Sequence, residues 1–79
     1  MISEKILLLS HLKEGQKVKI VDIKDLYIKN HLGQIGIYPE KEILVSKISW
    51  DGATIAIITD NTEIAIRKDI ANNIEVQPV

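Results

Sequence analysis

The sequence predicts a mainly β domain, a small barrel of about five strands with one short helix after the first barrel strand. Three observations predict this class. Apolar residues make up 46% of the chain but aromatic residues only 4%, and the apolar set is dominated by Ile and Val, which favour strands. Short segments alternate between apolar and polar residues. Pairs of turn-forming residues separate these segments.

A chain of 79 residues is predicted to form a single domain, 1–79, in which residues 1–8 are an N-terminal extension with a candidate edge strand. No cysteine is present, so disulfides and thiolate metal sites are excluded and stability must come from aliphatic packing in a closed sheet. Ser10 is a candidate cap for a turn at 11–13, which Gly15 ends.

The first barrel strand is predicted at 17–23, which reads KVKIVDI. Val18 and Ile20 point to one face, as in a half-buried strand. From Val21 to Ile23 the apolar residues instead occupy the alternate positions, which point to the other face. A bulge or sharp bend explains this change, and small barrels need such bends at their corners.

A short helix is predicted at 25–34, with Asp25 as its N-cap or first-turn acid. Its apolar stripe is predicted to consist of Ile28, Leu32 and Ile35, extended by Leu26. Its exposed side is predicted to hold Tyr27, Lys29, Asn30 and His31. Gly33 or Gly36 supplies the left-handed residue that ends the helix.

Four further strands are predicted at 42–48, 54–59, 62–67 and 74–77, with a single helical turn around 68–71 before the last strand. Asp51-Gly52 is a strong signal for a type I′ hairpin, and Asp60-Asn61 is a weaker one. Strand number and spacing suit an SH3-like or an OB-like barrel, and periodicity alone does not separate the two.

An enzyme is not predicted, because the chain has no phosphate loop and no GxGxxG, GxSxG or HExxH motif. His11 and His31 are the only histidines. Together with carboxylates they could ligate ferrous ion or zinc, because imidazole and oxygen ligands suit both metals. We favour the simpler interpretation of two surface histidines, and we expect no cofactor, with ferrous ion as the weak alternative.

The charge balance favours neither nucleic acid nor membrane as a partner. Ten basic and eleven acidic residues are mixed along the chain, for a net charge of −1. Candidate members of a basic stripe are Lys13, Lys17, Lys19 and Lys24, but no aromatic residue lies within a strand to stack on bases. The longest apolar run, 6–9, is too short for a membrane helix. We therefore expect a soluble cytoplasmic protein.

Three aromatic residues are candidates for contact with a protein partner. Trp50 lies at a predicted hairpin tip, where it either anchors a partner or, as we favour, folds back over one end of the barrel. Tyr38 is a barrel plug or a partner contact. Tyr27 and His31 lie one helical turn apart and should stack on one face.

Several segments together resemble the FeoA family, ferrous iron transport protein A. The first segment contains Leu9, Leu12 and Gly15, followed by Val18 and Ile20. The second reads LGQIGIYPEKEILV and includes Leu32, Gly36, Ile37 and Pro39. The third reads EIAIRKDIANNIEV, at 63–76. The similarity runs from Leu9 to Val76. The FeoA family is also related to the SH3-like C-terminal domain of iron- and manganese-responsive repressors.

The resemblance implies an SH3-like barrel, no catalytic activity and a cytoplasmic accessory role beside FeoB, a membrane permease that carries a GTP-binding domain. This chain departs from the family at two loops. Pro39-Glu40 stands where Pro-Gly is usual, which predicts a different turn type because Glu is strained at positive φ. Between its middle strands the family often has a tip that resembles Gly-Asp-Pro, where residues 50–53 of this chain read Trp-Asp-Gly-Ala.

We accordingly expect a binding module that docks on the permease through the helix surface and the loop after the helix. The predicted partner-binding residues are Tyr27, Lys29, His31, Tyr38 and Trp50. A nucleic-acid-binding or repressor-derived barrel and a direct ferrous ion carrier are the alternatives. Exposed edge strands, residues 1–8 among them, leave a homodimer open.

Overall fold

The fold is one curled antiparallel sheet of six strands with two short helices, and the computed structural model describes residues 6–79 of it. The strands are β1 (Leu7–Leu8), β2 (Lys17–Ile23), β3 (Glu42–Ile48), β4 (Thr54–Thr59), β5 (Thr62–Arg67) and β6 (Ile74–Pro78). A 3₁₀ helix covers Leu9–His11, and the helices are α1 (Leu26–Gly33) and α2 (Lys68–Ala71). The strands lie in the order β1-β6-β2-β3-β4-β5.

The mainly β prediction is confirmed, and the five barrel strands begin where the alternation predicts. The sixth strand, β1, belongs to the N-terminal extension, where Leu7 pairs with Val76 and Leu8 with Glu75 of β6. Residues 1–5 of that extension lie outside the described residues. Two residues of β1 are enough to extend the sheet beyond β6, as the edge-strand prediction requires.

The bulge predicted in β2 is present. Pairing between β2 and β6 shifts register between Ile20 and Asp22, so Val21 is the extra residue. Ile20 and Ile23 are consequently both buried, although they are three positions apart. A second register shift lies in β3, between Val45 and Lys47. The two bulges bend the sheet so that one face closes around the core.

The core is aliphatic throughout. It consists of Leu9, Leu12, Val18, Ile20, Ile23, Leu32, Ile37, Ile43, Val45, Ile55, Ile57, Ile66, Ala71, Ile74 and Val76. Among residues 6–79, Thr59 is the one polar residue buried with them, and its hydroxyl donates to the carbonyl of Glu42 at 3.2 Å. Every strand except the short β1 contributes to this set, so the core holds the curled sheet to itself.

The first turn of the chain differs from its prediction. The 3₁₀ helix starts at Leu9, and Leu8 occupies the N-cap position without a side-chain hydrogen bond. Ser10 therefore lies inside the turn rather than capping it, and its buried Oγ has no hydrogen-bond partner among the described residues. Fully buried Leu9 outweighs the capping preference of serine, because it draws this turn against the core.

Helix α1 is capped as predicted, although it is one residue shorter at each end. The Asp25 side chain accepts a hydrogen bond from the Ile28 N–H at 3.0 Å. Leu32 is buried and Ile28 is partly buried, but Leu26 is 71% exposed and does not extend the apolar stripe. Gly36, with φ of +91°, supplies the left-handed residue after the helix.

Of the two predicted type I′ hairpin turns, the one with the weaker signal is confirmed and the other is not. Asp60 and Asn61 have φ of +53° and +63°, and Thr59 pairs with Thr62, which is a two-residue type I′ turn. In the loop 49–53, by contrast, only Gly52 has positive φ. The type I′ prediction at Asp51-Gly52 is therefore wrong, because the last pair before this loop is Ile48–Ile55 and the connection is longer.

The loop before β3 keeps a turn that usually requires glycine. Glu40 follows Pro39 with φ of +81°, and the Lys41 N–H donates to the Tyr38 carbonyl at 3.2 Å. These features fit a type II turn, in which the third residue has φ near +80°. The prediction of a different turn type is wrong: the backbone is retained, and Glu40 carries the strain.

Replacing Glu40 with glycine should therefore stabilise the protein. We expect Glu40→Gly to raise the free energy of unfolding by about 1 kcal/mol, because relief of strain outweighs the greater freedom of the unfolded chain. Urea denaturation measures this. Glu40→Ala is the matched control, since it also removes the exposed ion pair with Lys19 at 3.5 Å but keeps the strain. Equal stability of the two variants would contradict the assignment.

Candidate docking surface

Helix α1 presents a stacked pair of rings to solvent. Tyr27 is 81% exposed, and its ring lies parallel to that of His31, with centroids 6.5 Å apart and an interplanar angle of 9°. The stacking predicted from their spacing is confirmed. Leu26 beside them is also exposed. The exposed side of α1 therefore offers an apolar and aromatic surface that the core does not use.

Lys29 lies apart from this stack. Its ammonium group is 3.4 Å from the carboxylate of Asp22 in β2. The backbone N–H of Ile23, and after it Lys29, holds the pKa of Asp22 below its usual value. Lys29 thus ties the helix to the end of β2, through an exposed pair of the kind that contributes little stability.

An apolar groove runs between α1 and β5, with a volume of about 250 Å³. Its walls are formed on one side by Tyr27, Ile28, His31, Leu32 and Ile35, and on the other by residues 64–67 and Ile70. The Tyr27–His31 stack therefore forms one rim of the groove. Sequence reasoning missed the β5 side, because strand order is needed to know that β5 lies beside α1.

Tyr38 lies near the N-terminal end of β5, beside the β4–β5 turn. It is 45% exposed, and the Lys41 ammonium group sits 5.4 Å from its ring centroid. Lys41 also pairs with Asp60 in the β4–β5 turn, and this contact raises the pKa of Lys41. Tyr38 is therefore held at the surface by a cation that the type I′ turn anchors, and it does not plug the barrel.

Trp50 is 98% exposed at the tip of the β3–β4 hairpin. The favoured prediction that it folds over an open end of the barrel is wrong. The turn itself is built by Asp51, whose carboxylate accepts from the Ser49 hydroxyl at 2.7 Å and from the Ala53 N–H at 3.1 Å. The Ser49 hydroxyl, and after it the Ala53 N–H, lower the pKa of Asp51. This network directs the chain so that the indole points into solvent.

The five predicted contact residues do not form one continuous surface. Tyr27 and His31 touch each other, whereas Lys29 faces β2. Tyr38 lies at the β4–β5 turn, and Trp50 lies at the hairpin whose Ala53 carbonyl accepts from the Lys68 N–H, at the other end of β5. The groove beside the Tyr27–His31 stack borders residues 64–67 of β5.

The histidines occupy separate elements, His11 in the 3₁₀ helix and His31 in α1. Across residues 6–79, no three His, Asp or Glu side chains are grouped as a metal would require. None of the helices in this range has the length and apolar character needed to cross a membrane.

Comparison with protein families decides the relationship. The model of the FeoA domain matches residues 7–78. The chain belongs to the FeoA family. A comparison with curated protein sequences finds no relative. The FeoA match spans every described element from β1 to β6, so the resemblance seen in the sequence is confirmed across the whole fold.

Solved FeoA structures share this fold. Iron(II) transport protein A of Clostridium thermocellum has a TM-score of 0.85 and 28% identity, covering 92% of this chain and 46% of that one. A FeoA-like protein of Clostridium acetobutylicum has a TM-score of 0.85 and 22% identity, covering 100% and 91%. Membership in the FeoA family, whose domain is a non-enzymatic accessory domain, supports a role associated with iron transport.

The same fold occurs within a larger regulator. A manganese-dependent transcriptional repressor has a TM-score of 0.87 with 16% identity, and the match covers 100% of this chain but 45% of the repressor. At that identity the likeness concerns the fold alone. It confirms the SH3-like class, which periodicity did not separate from an OB-like barrel.

The hairpin tip should respond to acid through Asp51. Because its pKa is lowered, its carboxylate stabilises the fold above the ordinary value of 3.8, and this stabilisation disappears as pH falls through the lower folded value. Asp51→Asn should therefore be less stable than the wild type at pH 7, and the difference should shrink below pH 3.8. Urea unfolding at both pH values measures it, and a difference that persists in acid would contradict this role.

Proposed function

We propose that this protein is a cytoplasmic accessory protein of ferrous iron uptake that acts by binding the cytoplasmic GTP-binding part of an FeoB-type permease. The observation that carries the proposal is the exposed apolar and aromatic surface on α1, in a chain of the FeoA family. An interaction is the function that such a surface would serve, since contiguous exposed apolar patches often mark binding sites.

We define the docking patch as Leu26, Tyr27 and His31, with Lys29 at its border. Leu26 and Tyr27 are 71% and 81% exposed, so burial against a partner removes much apolar area from water. The His31 ring backs Tyr27, so the tyrosine ring is already ordered before a partner arrives. Ordered aromatic residues are frequent binding anchors because little side-chain entropy is lost on contact.

The patch is small, so the complex should be transient. One helical face of eight residues supports an interface at the low end of the range for specific complexes, below about 1,200 Å² in total. Polar and charged neighbours, such as Lys29 and its partner Asp22, form the rim. A complex of this kind assembles and separates readily, which suits an accessory protein that modulates a permease.

The combined variant Tyr27→Ala/Lys29→Glu tests the patch. We expect affinity for the purified GTP-binding domain of the permease from the same organism to fall at least tenfold, because an anchor is lost and a rim charge is reversed. Isothermal titration calorimetry measures the affinity. The melting temperature should stay near that of the wild type, since Tyr27 is exposed and the Lys29–Asp22 pair is weak.

Two further variants serve as position controls. Tyr38→Ala and Trp50→Ala remove the exposed aromatic residues at the two ends of β5, outside the patch. Loss of binding in Tyr27→Ala/Lys29→Glu, with little change in these two, supports α1 as the docking element. Full affinity in the α1 variant contradicts the patch, and a wild type that does not bind the permease domain contradicts the proposed function itself.

A further inference from the structure

Strand β5 is the long edge of the sheet, and half of its backbone hydrogen-bonding groups face away from β4. The type I′ turn closes on the Thr59–Thr62 pair, which in such a hairpin is a hydrogen-bonded pair. Pairs alternate along an antiparallel ladder, so Ile64 and Ile66 also bond to β4. The N–H and C=O groups of Glu63, Ala65 and Arg67 therefore point outward, and within residues 6–79 no strand pairs with them.

The sequence of this edge is complementary to itself. Residues 63–67 read Glu-Ile-Ala-Ile-Arg. We propose that β5 pairs antiparallel with β5 of a second copy of this chain, across a two-fold axis at Ala65. In that register Ala65 faces its own equivalent, and each Glu63 faces Arg67 of the other copy. All three outward-facing residues then form hydrogen-bonded pairs, and both flanking pairs join opposite charges.

The two faces of the joined sheet also match. Glu63, Ala65 and Arg67 are exposed on the outer face, whereas Ile64 and Ile66 turn toward the core. The proposed register places Ile64 of one copy opposite Ile66 of the other, so apolar side chains meet on the inner face. The apolar groove between α1 and β5 borders residues 64–67 of this strand.

Neighbouring registers are worse. A shift that places Ala65 opposite Arg67 carries Glu63 past the end of β5 in the second copy, where α2 begins, and removes both Glu–Arg pairs. A shift in the other direction leaves Glu63 opposite Ala65 and removes both charge pairs. Registers offset by one residue place an inner side chain opposite an outer one. Charge complementarity therefore selects the two-fold register and a second copy as the occupant.

The edge lacks several of the residues that commonly prevent pairing. It holds no proline, glycine or lysine, and its pairing with β4 is regular over all six residues. Glu63 now accepts from the Ser46 hydroxyl at 2.6 Å, and Arg67 lies 3.8 Å from Asp69, but both charged side chains are exposed and free to turn toward a second copy. One pair of five-residue segments makes a small interface, so the dimer should form only at high protein concentration.

A charge exchange tests this register with the full-length protein. The proposed dimer contains two pairs of residue 63 with residue 67 of the other copy. Glu63→Arg places Arg opposite Arg in both pairs, and Arg67→Glu places Glu opposite Glu. We expect either variant to raise the dimer dissociation constant about tenfold in sedimentation equilibrium. The double variant Glu63→Arg/Arg67→Glu should dimerise again. An equimolar mixture of the two single variants should form heterodimers, because every such pair then joins opposite charges.

Lys13→Glu and Glu42→Arg are the matched controls, with the same charge changes at exposed positions outside β5, and both should dimerise like the wild type. Amide hydrogen exchange gives a second readout. Protection at Ala65 should rise with protein concentration, whereas protection at Ile64 and Ile66 should already be present in dilute solution.

Three results would overturn the proposal. One is a wild type that stays monomeric up to millimolar concentration. Another is single variants that dimerise as well as the wild type. The third is an Ala65 amide that is already protected in the dilute monomer, or that gains protection only when the permease domain is added. Either result would mean that something other than a second copy of β5 covers this edge.

Discussion

The extra residue in β2 sets the direction in which the chain leaves the first barrel strand. Because Val21 is inserted into the ladder, Ile20 and Ile23 both reach the core, and β2 bends as it pairs with β6. Helix α1 begins three residues after the strand ends, so the same bend carries the helix over the sheet toward β5. Without the bulge, Ile23 would point into solvent and β2 would not present an apolar surface to α1.

An aliphatic core leaves the aromatic residues to the surface. Tyr27, Tyr38 and Trp50 are all exposed, because Ile, Val and Leu side chains fill most of the interior of the curled sheet. Each ring is also placed by its own local device. The ring of His31 stacks on Tyr27, the Lys41 ammonium group contacts the ring of Tyr38, and the turn that carries Trp50 is held by hydrogen bonds to Asp51. The family relationship and these exposed rings together favour recognition of another protein over chemistry.

Local patterns predicted the strands and the short helices well, since alternation, the Asp25 cap and the β2 bulge all depend on neighbouring residues. The errors arose where geometry depends on the whole sheet. The turn at Asp51-Gly52 depends on the register of β3 and β4, and the exposure of Trp50 depends on that turn. The groove and the free edge at Ala65 result from strand order, which places β5 last and beside α1. Periodicity carries no information on that order.

The position of the single tryptophan has a practical consequence for spectroscopy. Trp50 is as accessible to water in the native state as it would be in an unfolded chain. Its emission should therefore resemble that of free indole throughout a denaturation experiment and report little of the loss of the core. The same fluorophore would shift to shorter wavelength if any molecule covered the hairpin tip, so intrinsic fluorescence reports contacts at that end of the sheet while remaining silent about folding.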